Sequence, residues 1–185
     1  LSKTNNLKVI GRAGVGVDNI DIENATRTGC VVMNVPDGNS ISAAEHTVAM
    51  MAALSRNIHK GHMSLLKGRW ERSSLVGNEL QNKILGVVGL GRIGREVIKR
   101  AQSYGMKILG FDPYVNASIF EGSDVKLVPI EELYKKSDYI TLHVPLVDST
   151  RHMISMQVLK RMKKTAIQNT GILSMILLIV QKLHR

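Results

Sequence analysis

The chain has 185 residues, 44% of them hydrophobic and 22% charged, and Lys plus Arg exceed Asp plus Glu by 25 to 15 for a formal charge of +10 at pH 7. Such an apolar fraction supports a real core and excludes disordered, collagen-like and coiled-coil classes. A single cysteine, Cys30, excludes an internal disulfide framework and a Cys/His zinc set, so no metal site and a reducing cytoplasm are expected. No run reaches the roughly 18 apolar residues that span a bilayer, and the start of the chain is too polar for a signal peptide. The positive balance suits phosphate-bearing small molecules or cofactors. With 4% aromatic residues, a stacking surface for nucleic acid is not expected. The chain opens on Leu1, not Met, as a fragment would.

Short apolar runs alternate with helical patterns, as in a parallel α/β sheet. Leu7–Ile10 reads as a strand running into the turn Gly11-Arg12-Ala13-Gly14-Val15-Gly16. A small helix over Asp21–Arg27 closes at Gly29, and Val31–Met33 is a second strand ended by the turn Pro36-Asp37-Gly38. Ser42 and Glu45 have capping-box spacing ahead of the helical stripe Ala44, Val48, Met51, Ala52. From Gly61 to Asn82 the pattern loosens into a basic stretch with Trp70, which reads either as an exposed arm for subunit contact or as Trp70 plugging a local apolar patch.

The second half is more regular. Ile84–Val88 is an unbroken apolar strand, and Ile93, Val97, Ala101 and Tyr104 form a helical stripe. Strands are expected at Ile108–Phe111, Lys126–Val128 and Tyr139–Val144, with Pro129 opening a helix before the last of them. A helix near Ser155–Met162 precedes a fifth strand beginning at Ala166-Ile167. The basic run at 160–164 reads as a solvated helix end. After Thr170 the chain becomes a short, largely apolar run, too brief to cross a membrane.

Gly89-Leu90-Gly91-Arg92-Ile93-Gly94 matches GxGxxG in the right context: it follows a buried strand, opens an amphipathic helix, and has Asp112 about twenty residues on, at the end of the next strand. Gly89 permits the tight turn, Gly91 lets a pyrophosphate approach the backbone, and Gly94 lets helix and strand pack closely. The pyrophosphate would sit on the free amides and positive dipole of the helix start. Asp112 would accept from the adenosine ribose hydroxyls and repel the extra phosphate of NADP, so NAD is the expected cofactor. His143-Val144-Pro145 ends a strand, where ligands bind in open α/β sheets. His143 reads as cleft-lining rather than as an acid or base, and His46, His59, His62, His152 and His184 as surface or core residues. Arg12 beside Gly14-Val15-Gly16 makes a second anion-binding turn, because successive amides there can form a nest.

Gly11 to Asp21, Asn39 to Glu45, Gly89 to Gly94 and His143-Val144-Pro145-Leu146 stand in the order and spacing of the NAD-dependent D-2-hydroxyacid dehydrogenases, and resemble most the branch that oxidises 3-phosphoglycerate. The resemblance covers Leu7 to about Thr170. It implies a Rossmann-like, doubly wound parallel sheet with a remnant of a second, smaller substrate domain. By it, residues 1–36 would be part of the substrate domain, 37–170 the NAD-binding domain with its dimerisation helix and arm, and 171–185 a divergent tail. Val15, Gly89, Gly91, Arg92, Ile93, Gly94, Asp112, His143, Val144 and Pro145 fall at cofactor positions, and Arg12, Gly14 and Arg72 at positions for a substrate phosphate. The family assembles as homo-oligomers.

The family also implies a catalytic arginine in an Asn-(Cys/Thr)-Ala-Arg-Gly-Gly pattern, then a glutamate and a histidine. Here Asn169-Thr170 is followed by Gly171-Ile172-Leu173, and no catalytic residue of the family is found in this chain. Loss of such groups costs orders of magnitude in rate, so a truncated, catalytically impaired chain is expected. Alternatives are another 2-hydroxyacid dehydrogenase acting on glyoxylate or hydroxypyruvate, or a non-catalytic NAD-sensing interaction protein of the C-terminal-binding-protein type.

Overall fold

The computed structural model describes residues 6–17 and 19–164. Near the start, β1 (Val9–Gly11) and β2 (Val31–Met33) pair in parallel as a separate two-stranded sheet, joined through α1 (Ile22–Arg27). Asp21 caps α1 by accepting from the Asn24 amide at 2.9 Å, and Gly29, at φ +67°, ends it in the left-handed turn that its lack of a side chain permits.

The larger sheet is built from β3 (Ile84–Val88), β4 (Lys107–Phe111), β5 (Val125–Leu127) and β6 (Tyr139–Leu142), all parallel, in the order β5-β4-β3-β6. The chain leaves β3 through α4 (Arg92–Ser103) to β4 on one side, then returns through α5 (Ile130–Lys136) to place β6 on the other. Reversal of direction at the β3–β6 boundary makes the sheet doubly wound and opens a crevice at the carboxyl ends of those two strands. Because β3 lies inside the sheet with both faces covered, Leu85, Val87 and Val88 are each no more than 1% exposed.

One apolar layer sets α2 (Ser40–Ser55) and α4 against the sheet, through Ala44, Val48, Met51, Leu85, Val97 and Ala101. The other sets Leu133 and Tyr134 of α5 against Val88, Leu109 and Leu142. Full burial of side chains such as Leu85 and Leu133 stabilises by about 2–3 kcal/mol each. Inside the first layer, the Ser55 hydroxyl donates to the Met51 carbonyl at 2.7 Å and accepts from the Tyr139 hydroxyl at 3.1 Å, fixing the end of α2 to β6. Next, α6 (Met156–Arg161) is capped by Ser155, which accepts from the Val158 amide, and Met162 packs into the second layer.

Several expectations need correction. The Gly61–Asn82 stretch is not a loop throughout: α3 (Ile58–Leu66) occupies its beginning, and a short 3-10 turn covers Arg72–Leu75. Asn57, in the left-handed conformation at φ 55°, breaks the chain between α2 and α3. Trp70 does not plug an apolar patch; it is 80% exposed. The Ser42–Glu45 capping box does not form, because α2 starts earlier and the Ser42 hydroxyl instead donates to the Asn39 carbonyl at 3.1 Å. Tyr104 leaves the buried stripe as the cap residue of α4 and is 48% exposed. Pro129 stands one position earlier than expected, as the cap of α5. The basic run is partly paired: Arg161 reaches Glu131 and Lys163 reaches Asp138, both at 2.8 Å. The fifth strand at Ala166-Ile167 and the apolar tail lie outside the described residues.

Candidate functional site

The turn after β3 shows why each glycine stands where it does. Gly89 has φ +90°, and its amide donates to the Phe111 carbonyl at 2.9 Å; a Cβ there would lie 2.3 Å from the His143 carbonyl oxygen. A Cβ on Gly94 would lie 2.1 Å from the Gly89 carbonyl oxygen, so only glycine lets α4 pack this closely on the strand. Gly91 is the opposite case: a Cβ would meet nothing within 4 Å, which leaves open space in front of the backbone. Gly91 caps α4 with no side-chain acceptor for the first helical amides, which therefore face that space with the positive end of the dipole.

Asp112 follows β4 on the other flank. One carboxylate oxygen accepts from the Leu90 amide at 2.8 Å and the other from the Tyr114 amide at 2.9 Å. Those bonds hold the carboxylate beside the glycine turn and leave lone pairs to accept from vicinal hydroxyls. Across the crevice, the His143 amide donates to the Val88 carbonyl at 2.7 Å, and the Val144 side chain would be 2.9 Å from a Cβ on Gly89. The His143 ring nitrogen Nε2 lies 2.9 Å from the Thr141 hydroxyl, and burial pushes the ring pKa down to about 4, so the ring is neutral at physiological pH. Beyond it the loop is folded on Thr150, whose hydroxyl donates to the Pro145 carbonyl and accepts from the Val147 amide.

The structure thus brings Gly89, Gly91, Gly94, Asp112, His143, Val144 and Pro145 to one end of the sheet. Ile93 joins them through its backbone alone, since its side chain packs against the α2–α4 core. Arg92 opens α4, and its Nε lies 2.7 Å from Asp37 Oδ1. Asp37 is the residue that sequence reasoning missed, because Pro36-Asp37-Gly38 carries only a turn signal.

The second anion-binding turn is altered from expectation. The Gly14 amide donates to the Arg12 carbonyl at 2.9 Å, so it is not free to join a nest. Instead the Arg12 guanidinium lies over Gly14, where a Cβ would fall 1.7 Å from Nη1. The turn is fastened to the segment after β2: the Val35 amide donates to the Gly14 carbonyl at 3.0 Å, and Asn34 Nδ2 to the Val15 carbonyl at 2.8 Å. Arg72 starts the 3-10 turn, exposed, and among the described residues no hydrogen bond or ion pair joins it to Arg12.

An open backbone cradle at Gly91, first-turn amides facing it and a carboxylate on the neighbouring strand form the donor set that a diphosphate-bridged dinucleotide requires. The sequence profile described as "D-isomer specific 2-hydroxyacid dehydrogenase, NAD binding domain" matches residues 48–171. D-3-phosphoglycerate dehydrogenase of Methanocaldococcus jannaschii is 53% identical over 168 residues, which cover 90% of this chain and 32% of that protein. The human protein of the same name is 48% identical over 158 residues, covering 85% and 30% respectively. The chain therefore spans about a third of the length of these relatives. Among solved structures, D-lactate dehydrogenase from Aquifex aeolicus, complexed with NAD and lactic acid, superposes with a TM-score of 0.78 at 35% identity over 88% of this chain and 49% of that one. The glycine turn, the doubly wound sheet and these matches agree: the chain belongs to the D-isomer-specific 2-hydroxyacid dehydrogenases and carries their NAD-binding domain.

Proposed function

We propose that this chain is the cofactor-binding part of an oxidoreductase that oxidises 3-phosphoglycerate at C2 to 3-phosphohydroxypyruvate. The observation that carries the reading is the open space at Gly91, flanked by the α4 amides and by Asp112. In this reading the α4 amides with Gly89, Gly91, Arg92, Ile93 and Gly94 hold the cofactor diphosphate, Asp112 its adenosine ribose, and Val15, His143, Val144 and Pro145 line the cleft. NAD held there would supply the acceptor for the hydride that leaves C2. Arg12 over Gly14, and Arg72, offer guanidiniums to the substrate phosphate, which such groups hold in bidentate fashion. Similarity to phosphoglycerate dehydrogenases over most of the chain supports this substrate. Residues 1–36 are read as part of the substrate lobe, 37–170 as the NAD lobe and 171–185 as a divergent tail. A cytoplasmic location is part of the same reading.

Ile172, in place of the family's catalytic arginine, supports a chain that binds NAD but turns over poorly on its own. The exposed apolar residues Ile58, Leu65, Leu66, Trp70 and Val76, between 58% and 80% exposed, support a second copy of the chain covering α3 and the segment after it. Calorimetric titration with NADH tests the central claim. Asp112→Ala should weaken binding about ten-fold or more, the loss of hydrogen bonds to a charged acceptor. NADH binding unaffected by the substitution would overturn the site, and NADH formation from 3-phosphoglycerate at family-like rates would overturn the impairment.

A further inference from the structure

The Arg92–Asp37 pair joins the start of α4 to the turn that enters α2. Asp37 lies on the connector between β2 and α2, whereas Arg92 opens the helix that faces the proposed cofactor diphosphate. Both side chains are more than half exposed, at 58% for Arg92 and 71% for Asp37, so neither is a buried structural charge. The near end of the same connector is stitched to the turn that carries Arg12. The Arg12 amide donates to the Met33 carbonyl at 2.8 Å, and Val35 and Asn34 donate to Gly14 and Val15. One guanidinium is therefore held by a carboxylate of the turn that enters α2, where the Asp37 carbonyl accepts from the Ser40 amide, at the end of α4 where an incoming diphosphate would need it.

We propose that Asp37 is a positioning residue that occupies Arg92 as an internal substitute for the dinucleotide diphosphate, so that cofactor binding exchanges one anion for another and releases the connector. This rests on the assignment of Arg92 to the cofactor site. The Asp37 carboxylate opposes the ligand twice: it must be displaced from Arg92, and once displaced it remains a negative charge near a second negative group. Because the pair is exposed, solvent limits each effect, and removing the Asp37 charge is expected to tighten dinucleotide binding roughly two- to five-fold.

The test is a set of NADH titrations on the full chain, Asp37→Asn, Arg92→Ala and the double variant, at low salt, with thermal melting of each protein. Asp37→Asn should melt with the wild type and bind NADH more tightly, by a margin that shrinks as ionic strength rises. Arg92→Ala should weaken binding, and in its background most of the Asp37→Asn gain should vanish. Unchanged or weaker binding by Asp37→Asn, or an equal gain in both backgrounds, overturns the inference while leaving the cofactor site intact. NADH affinity unaffected by Arg92→Ala instead overturns the assignment of Arg92, and the inference with it.

Discussion

Gly91→Ala and Gly94→Ala each add one methyl group to the same turn, and they are expected to fail in different ways. At Gly94 the new Cβ lies 2.1 Å from the Gly89 carbonyl oxygen and 3.1 Å from its carbon. That backbone is held on both sides, by the Gly89 amide donating to Phe111 and the His143 amide donating to Val88, so it has little freedom to retreat. Forcing α4 away from β3 should cost about 1–3 kcal/mol, more than the gain of up to about 1 kcal/mol that alanine brings to a helix interior. At Gly91 nothing lies within 4 Å of the added methyl, and the exchange at a helix cap should cost less than about 1 kcal/mol. The methyl instead fills the approach to the first-turn amides, and losing even two charge-assisted hydrogen bonds there would weaken NADH binding by on the order of a hundred-fold. Urea denaturation and NADH calorimetry on both variants separate the outcomes. A Gly91→Ala protein that binds NADH as the wild type does, or a Gly94→Ala protein of undiminished stability, would refute the reasoning.

Two further expectations concern pH and an ion pair away from the cleft. The His143 ring, pushed down to about 4 by burial, stays neutral in the folded chain at pH values where the unfolded chain already takes up a proton. Stability should therefore be full above a pH of about 6.5 and fall towards pH 4, by up to about 3 kcal/mol. His143→Gln should flatten that dependence in urea midpoints measured at neutral pH and near pH 5, and matching slopes would show that burial of the ring is not its cause. At the opposite end of the sheet, burial pushes the Asp138 carboxyl up, but the Lys163 ammonium and the Ile84 amide, each at 2.8 Å, outweigh it and hold the group below its ordinary value. Its contribution is present above the unfolded carboxyl value and is lost as pH falls through the lower folded one. Asp138→Ala should cost about 1–3 kcal/mol and Lys163→Met less than about 1 kcal/mol, because only the second change keeps the carboxylate that accepts from the Ile84 amide. Equal losses in chemical denaturation would count against a role for that contact.

The dinucleotide half was legible because its signals are local and redundant. An unbroken apolar strand, glycines at fixed offsets and an acidic residue after the next strand each restrict the backbone independently, and Gly89, Gly94 and Asp112 stand where those restrictions place them. Elsewhere the determinants were tertiary. The α3 helix lacks a side-chain cap, carries Gly61 in its interior and leaves Ile58, Leu65 and Leu66 exposed, so its period gave no buried stripe to read. Ser42 and Glu45 had the right spacing, yet Ser40, 7% exposed, had already begun the helix against the sheet. The nest at Gly14 failed through one internal hydrogen bond, and the Asp37–Arg92 contact joins residues 55 positions apart, which no local pattern reports.

The bond from Ser55 to Tyr139, with Ala44, Val48 and Met51 buried below it, rivets the whole of α2 to the larger sheet. Among the described residues, the placing of the small sheet against α2 therefore rests on the handful of backbone torsions between Val35 and Ser40, since Asn34 and Val35 are bonded to the turn at Gly14 and Val15. Pro36 fixes one of those torsions and Gly38 frees another, so stiffness and slack already stand two residues apart in that short strap.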